Sequence, residues 1–211
     1  MTMRMTWTAS ISLAVALAMS ACAGQVPEVR YYQLASSGAQ AHGGRAVIAI
    51  APLEVSSAYA DDRIVYRVNA FRLDYYAYHR WSAEPGVLVA NYLEGALEAS
   101  GRFRAVVRVP TSQASVMLGG RIAAIEEVDQ SPARWEGRIV LELYLKDIAS
   151  DQVVWSRKFE ETEPLQVQSP EGLARALSTA MARISARIAP EMAQIATERS
   201  RIAAARDKPA D

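Results

Sequence analysis

Apolar and charged residues alternate along residues 135–146, and this pattern constrains the fold more than any other feature of the chain. Alternation with a period of two is typical of a β-strand that is buried on one side. Ser150 and Asp151 then interrupt the pattern, and it resumes over residues 152–160. The two segments are therefore predicted to form an antiparallel hairpin. The apolar face of the first segment consists of Ile139, Leu141, Leu143 and Leu145.

Shorter patterns predict the rest of a sheet. Residues 46–51 form a continuous apolar run, which is typical of a central strand covered on both faces. Residues 63–69 and 71–75 each alternate and are predicted to pair around a tight turn at Asn69-Ala70. Further strands are predicted at residues 30–34, 103–109 and 116–128. Within the last of these, Gly119-Gly120 indicates a bulge or a close approach of another chain segment.

Two helices are also predicted. Pro85 suits the first position of a helix over residues 85–100, and Gly101 suits its C-terminal cap. A longer helix is predicted to begin after Ser169, which is a suitable N-cap. Pro190 lacks a backbone donor and is expected to kink or split this second helix. Its apolar residues recur every three or four positions: Leu173, Leu177, Met181, Ile184, Ile188, Met192 and Ile195.

The order of these elements predicts an α+β fold, an α/β sandwich. A mixed, largely antiparallel sheet is expected to carry one helix after the first hairpin and the long C-terminal helix packed on it. We expect a tether and a short first strand over residues 22–44, a single domain over 45–196, and a disordered tail over 197–211. Met192 and Ile195, at the end of the helical stripe, are candidates for an oligomer or partner contact.

The N-terminus predicts export. Arg4 is the only charged residue before Glu28, and residues 9–19 form a short apolar run. Residues 1–21 are therefore predicted to be a lipoprotein signal peptide. Met19-Ser20-Ala21-Cys22 resembles the bacterial lipobox, which implies cleavage before Cys22 and acylation with chains such as palmitate. A plain signal peptide with an incidental cysteine is the alternative, although a lone free thiol is unusual in an exported protein. Ala23 favours sorting to the outer membrane.

Composition limits the partners and cofactors that the chain can bind. Lys and Arg total 23, and Asp and Glu also total 23, so the net charge is zero and a nucleic-acid partner is disfavoured. One cysteine and two histidines exclude a disulfide framework and a zinc site built from several such ligands. No phosphate-binding motif follows a predicted strand, and no cofactor is expected.

The densest group of candidate functional side chains lies at residues 75–81. A catalytic role for His79 would require an orienting carboxylate and a nucleophile, and the chain has no nucleophile-elbow motif. We therefore favour packing or partner contact there, and no metal site is expected. Two acidic clusters lack the spacing of a calcium loop and are expected to be solvated rims: Glu126, Glu127 and Asp129, and Glu160, Glu161 and Glu163.

The order of several segments resembles the auxiliary lipoprotein of ABC-type lipid transport systems, the family that includes paraquat-inducible protein C. The resemblance covers roughly residues 30–190, nearly the whole mature domain. The segments are the lipobox at Cys22, Tyr31-Tyr32-Gln33-Leu34, the strand at 47–50, Tyr78-His79-Arg80-Trp81 before Pro85, Ser100-Gly101-Arg102-Phe103 and residues 153–159.

The resemblance implies a non-enzymatic lipoprotein at the periplasmic face of the outer membrane. Its implied partners are a mammalian-cell-entry (MCE) protein that forms a lipid conduit and the ABC permease and ATPase. Contact with phospholipid and a ring-like homo-oligomer are also implied. Docking to the conduit is expected at residue types that are enriched in interface hot spots, namely Tyr76, Tyr78, Arg80 and Trp81.

Two other functions remain open at this point. The chain could be a structural or assembly lipoprotein of another envelope machine, for secretion or polysaccharide export. It could also be a small periplasmic hydrolase, although the lack of a recognisable nucleophile and base speaks against this.

Overall fold

Nine strands and two helices make up the described part of the chain, which in this computed structural model comprises residues 27–36, 43–108 and 111–206. The signal peptide, Cys22 and residues 207–211 lie outside these ranges. The helices are α1 (Pro85–Ala99) and α2 (Pro170–Arg206). The strands are β1 (Arg30–Tyr32), β2 (Val47–Ile50), β3 (Glu54–Val55), β4 (Arg63–Asn69), β5 (Arg72–Trp81), β6 (Ala105–Val107), β7 (Ala114–Ser131), β8 (Arg134–Asp147) and β9 (Val153–Pro164).

The 18-residue strand β7 organises the sheet. Along one side it pairs with β2, β3 and β4 in parallel, and along the other with β8 in antiparallel orientation. The strand order is β1-β5-β4-β7-β2-β6, and β9 pairs with β8. This mixed sheet with its two helices confirms the predicted α+β fold. All four residues of β2 are buried, because Ile48 and Ile50 pack in the main core and Val47 and Ala49 pack with Ala114 in a smaller cluster.

The two predicted hairpins are present, with one change. Strands β8 and β9 form the hairpin that the alternation predicts. Asp151, at the turn between them, has a φ of 59°. Between β4 and β5, however, Asn69 pairs with Arg72, so the turn lies at Ala70-Phe71 and not at Asn69-Ala70. The Asn69 side chain accepts a hydrogen bond from the amide of Phe71 at 2.9 Å, and the Phe71 ring is fully exposed.

Helix α1 begins at Pro85, as predicted, and its C-cap is Ser100, just before Gly101 at a φ of 65°. Helix α2 begins after Ser169, whose hydroxyl accepts a hydrogen bond from the Gly172 amide at 3.1 Å. Pro190 lies inside α2, so it does not split the helix. None of the helices in the described ranges is both long and apolar enough to cross a bilayer.

The prediction of disorder from residue 197 is wrong for residues 197–206, which continue α2. Polar contacts hold this end of the helix against the sheet. Arg199 pairs with Asp147 of β8 at 3.2 Å, and the hydroxyls of Ser200 and Ser115 lie 3.1 Å apart. These contacts involve no large apolar side chains, which is why the apolar pattern did not reveal them.

The core lies between the helices and one face of the sheet. The apolar face predicted for β8 and the stripe of α2 are almost completely buried against each other. Gly137 permits this contact, because a Cβ at that position would lie 3.2 Å from side-chain atoms of Leu173 and Ala176. Each fully buried Leu or Ile contributes about 1.5–3 kcal/mol. Met192 is completely buried, so the prediction that it contacts a partner is wrong. Ile195 is half-buried and packs against this core, and its contact with a partner stays a prediction.

Candidate functional surfaces

The residues predicted to form a docking surface lie on β5, and the structure separates them by exposure. Trp81 is only 1% exposed and belongs to the core, so its indole does not reach the surface. Tyr78 is 43% exposed. Arg80 is half-buried and forms an ion pair with Asp62 at 2.5 Å. Of the expected set, Tyr78 and the outer part of Arg80 are available to a partner.

Tyr76, the fourth expected residue, lies in a group of rings instead. Its ring centroid is 5.0 Å from that of Tyr66 and 5.5 Å from that of His79. His79 in turn lies 2.9 Å from the hydroxyl of Tyr32, at its Nδ1 atom. Packing among aromatic rings therefore accounts for His79, as the sequence favoured over catalysis.

The first acidic cluster is not a solvated rim, and this prediction is wrong for Glu126 and Glu127, which are both completely buried. Glu126 accepts hydrogen bonds from Arg67 at 3.0 Å, from Arg138 at 2.7 Å and from the Tyr59 hydroxyl at 2.6 Å. Burial, together with this carboxylate, raises the pKa of Tyr59 to about 12. Two guanidinium groups thus offset the charge of one buried carboxylate.

No cation pairs with Glu127 in the part of the chain that the structure describes. Burial raises its pKa from an ordinary 4.5 to about 7, and the neighbouring carboxylate of Asp129 adds to this rise. The Tyr76 hydroxyl donates to Oε1 of Glu127 at 2.8 Å. Among the described residues, Oε2 of Glu127 and Oδ1 of Asp129 are buried without a hydrogen-bond partner. Burial also raises the pKa of Asp129, so burial disfavours the charged form of both carboxyl groups.

The second acidic cluster connects β9 to its neighbours. Arg183 of α2 pairs with Glu161 at 2.9 Å and with Glu163 at 2.6 Å, and Arg187 also pairs with Glu161. Glu160 pairs with Arg138 at 2.7 Å. The rim is therefore largely neutralised by ion pairs. Within the described residues, no group of three or more metal-ligating side chains could hold an ion.

Two grooves flank the first turns of α2. One, of about 330 Å³, lies against Glu163 and Val167, and the other, of about 540 Å³, lies against Tyr31 and Gln33. Both are bounded by Arg175, which forms an exposed ion pair with Glu171. No histidine or cysteine lines either groove among the described residues, so neither presents a nucleophile with a histidine base.

Comparison with known proteins decides the family. The model of the ABC-type transport auxiliary lipoprotein component matches residues 32–189. The chain belongs to this family. The matched range of the auxiliary lipoprotein runs from Tyr32, at the end of β1, to Ala189 near the middle of α2, and it agrees with the resemblance found in the sequence. The family is one of transport auxiliary lipoproteins and not of enzymes.

Solved structures agree with the fold of the auxiliary lipoprotein. It superposes on a Xanthomonas campestris protein of family DUF330 with a TM-score of 0.69 and 17% identity, over 82% of this chain and 99% of that one. An uncharacterized protein gives a TM-score of 0.66 at 17% identity, over 79% and 99%. A PelC dodecamer from Paraburkholderia phytofirmans is less similar, with a TM-score of 0.45 at 15% identity, over 71% and 92%. No curated protein sequence matches the auxiliary lipoprotein.

Proposed function

We propose that the auxiliary lipoprotein is a non-enzymatic component of an ABC/MCE-type intermembrane lipid transport system. It is anchored at the periplasmic face of the outer membrane and docks the MCE conduit that delivers phospholipid. The observation that carries this proposal is the family match over residues 32–189, which follows a lipobox-like Cys22 at a short interval. The chain performs no bond chemistry in this function.

The anchor consists of acyl chains on Cys22. Each buried methylene contributes about 0.8 kcal/mol, so several chains hold a domain at a bilayer stably. Mass spectrometry of the mature N-terminus tests the acylation, and Cys22→Ser is expected to release the protein from membranes. Ala23 supports the outer membrane, and fractionation of the two membranes tests this assignment.

Docking of the conduit involves the exposed residues that remain from the expected set. Tyr78 offers an aromatic ring, and Arg80 offers a guanidinium group that Asp62 already orients. Such residues contribute strongly at protein interfaces. A ring of several copies would repeat the same surface around the conduit.

The test is crosslinking of the full chain in its native membranes, followed by identification of the proteins and lipids that co-purify. We expect the MCE protein and the permease. Tyr78→Ala is expected to reduce crosslinks to the MCE protein, whereas Tyr144→Ala, which removes another partly exposed tyrosine on β8, is not.

Recovery of secretion or polysaccharide-export proteins in place of an MCE protein would favour the alternative function, an assembly lipoprotein of another envelope machine. The neighbouring genes give an independent test, since genes for a permease, an ATPase and an MCE protein support lipid transport. Turnover of an ester or glycan substrate by the purified chain would contradict both functions.

A further inference from the structure

The edge of the sheet nearest to Cys22 along the chain exposes apolar and aromatic side chains. Strand β1 has three residues and stands at the end of the strand order, where it pairs only with β5 among the described strands. Tyr31 is 63% exposed and Val29 is 38% exposed. We call residues 29–31 the β1 edge.

Covalent geometry keeps the β1 edge close to the anchor. Pro27, the first described residue, follows Cys22 by five residues, and five residues span at most about 18 Å. A domain of this length is roughly 40 Å across. The linking segment is therefore shorter than the domain is wide, and a surface far from β1 cannot replace the β1 edge at the membrane.

The chemistry of the β1 edge suits the interface of a bilayer. Tyrosine combines an apolar ring with a polar hydroxyl, and it is enriched at the level of the lipid headgroups. Glu28 and Arg30, which are both exposed, offset each other in charge. The edge therefore requires no anionic lipid, and zwitterionic phospholipid matches it.

We propose that the β1 edge lies in the headgroup layer of the membrane that holds the acyl chains of Cys22, so that the sheet stands edge-on to the bilayer. This proposal rests on the acylation of Cys22 in the proposed function.

Hydroxyl-radical footprinting of the full, acylated chain tests the contact. The chain is reconstituted in vesicles of phosphatidylethanolamine and phosphatidylcholine, and the Cys22→Ser chain with the same vesicles is the reference. The modification rate of Tyr31 is expected to fall about threefold in the acylated sample, because the headgroup layer excludes most water from the ring. Tyr144, which is partly exposed on β8, four strand spacings and about 20 Å from β1 across the sheet, is expected to keep its rate.

The outcomes separate this contact from the anchor itself. If Cys22 carries lipid and the chain floats with the vesicles but Tyr31 keeps its rate, the contact is wrong and the anchor stands. If Cys22 carries no lipid, the proposed function fails and the contact fails with it.

Three further results would overturn the contact. Equal protection of Tyr144 would mean that the domain lies on the bilayer without a preferred edge. Slow modification of Tyr31 in the Cys22→Ser chain without vesicles would assign the edge to a second copy of the protein. Loss of the protection in 1 M salt would mean that ionic attraction and not the tyrosine makes the contact. At this salt concentration, charges more than about 3 Å apart are screened from each other.

Discussion

The hydroxyl of Tyr76 donates a hydrogen bond to the buried carboxyl group of Glu127 at 2.8 Å, and no cation accompanies that carboxyl group among the described residues. The adjacent Glu126, by contrast, is paired with Arg67 and Arg138. Two successive glutamates of one strand thus have opposite electrostatic environments. The first pairs with two guanidinium groups, whereas burial of the second raises its pKa and favours its protonated form.

The free energy of unfolding is expected to fall as pH rises from about 4.5 to above 7 because of Glu127. Its pKa is about 7 in the folded chain and near 4.5 when the chain unfolds. Over this window the unfolded state binds fewer protons, and stability therefore decreases with pH. Glu127→Gln, which resembles the protonated form, should be more stable than the wild type at pH 8 by about 1–3 kcal/mol. Urea unfolding at pH 5 and pH 8 measures this.

The matched control is Glu142→Gln, which changes an exposed glutamate on β8. It should leave the pH dependence of unfolding as in the wild type. Equal pH slopes for the wild type and Glu127→Gln would show that Glu127 is ionised in the folded chain.

Removal of the Glu126 carboxylate is expected to be strongly destabilising. Glu126→Ala leaves the guanidinium groups of Arg67 and Arg138 without their buried partner, and such a loss costs about 3–5 kcal/mol. Asp61→Ala breaks an exposed pair with Arg63, which contributes only about 0–1 kcal/mol. Chemical denaturation of both variants compares them directly. A loss for Glu126→Ala no larger than that for Asp61→Ala would contradict the buried network.

The ring of Tyr144 leaves no space for a side chain at residue 119, so glycine is expected to be required at this position. A Cβ at residue 119 would lie 2.5 Å from Cζ of that ring, so Gly119→Ala should displace the ring and cost about 1–2 kcal/mol. In a Tyr144→Ala background the same change should cost almost nothing. The double-mutant cycle, measured by thermal unfolding, gives the interaction energy. A cost that persists without the ring would point to the backbone of β7 instead.

The last turns of α2 are expected to add to stability through Arg199. Its partner, Asp147, is nearly buried and also accepts hydrogen bonds from the amides of Ala149 and Ser150. Arg199→Ala should destabilise the chain by about 1 kcal/mol. Arg201→Ala, two residues further along the same helix, removes an exposed pair and should have no measurable effect. Similar melting temperatures for the two variants would place residues 197–206 outside the cooperative unit.

Local periodicity explains why much of the fold was predictable. The β8–β9 hairpin and the start of α2 depend on residues within a few positions of each other, so their patterns are visible in the chain. The buried state of Glu126 depends on Arg67, which is 59 residues away, and no local pattern encodes that contact. Two adjacent glutamates inside a long strand were still a signal, because neighbouring side chains of a strand point to opposite faces.

The four residues predicted to dock the conduit also show that local sequence does not determine exposure. Residue types alone grouped Tyr76, Tyr78, Arg80 and Trp81, but their exposure is set by segments distant in sequence. Trp81 joins the core, and Tyr76 bonds to Glu127, 51 residues further along the chain. In the segments that the structure describes, only Tyr78 and Arg80 keep the accessibility that the prediction required.

If the chain is exported as we propose, the position of β7 also sets the order in which it can fold. Within the described sheet, only β7 joins two groups of strands. One group is the β4–β5 hairpin with β1, and the other is the pair of β2 and β6. A chain that leaves the export channel from its N-terminus therefore holds two unjoined fragments until residue 131 has emerged. Contacts between residues far apart in sequence slow folding, and the parallel pairings of β7 are of this kind. We expect periplasmic chaperones to be needed during this interval, before β7 closes the sheet.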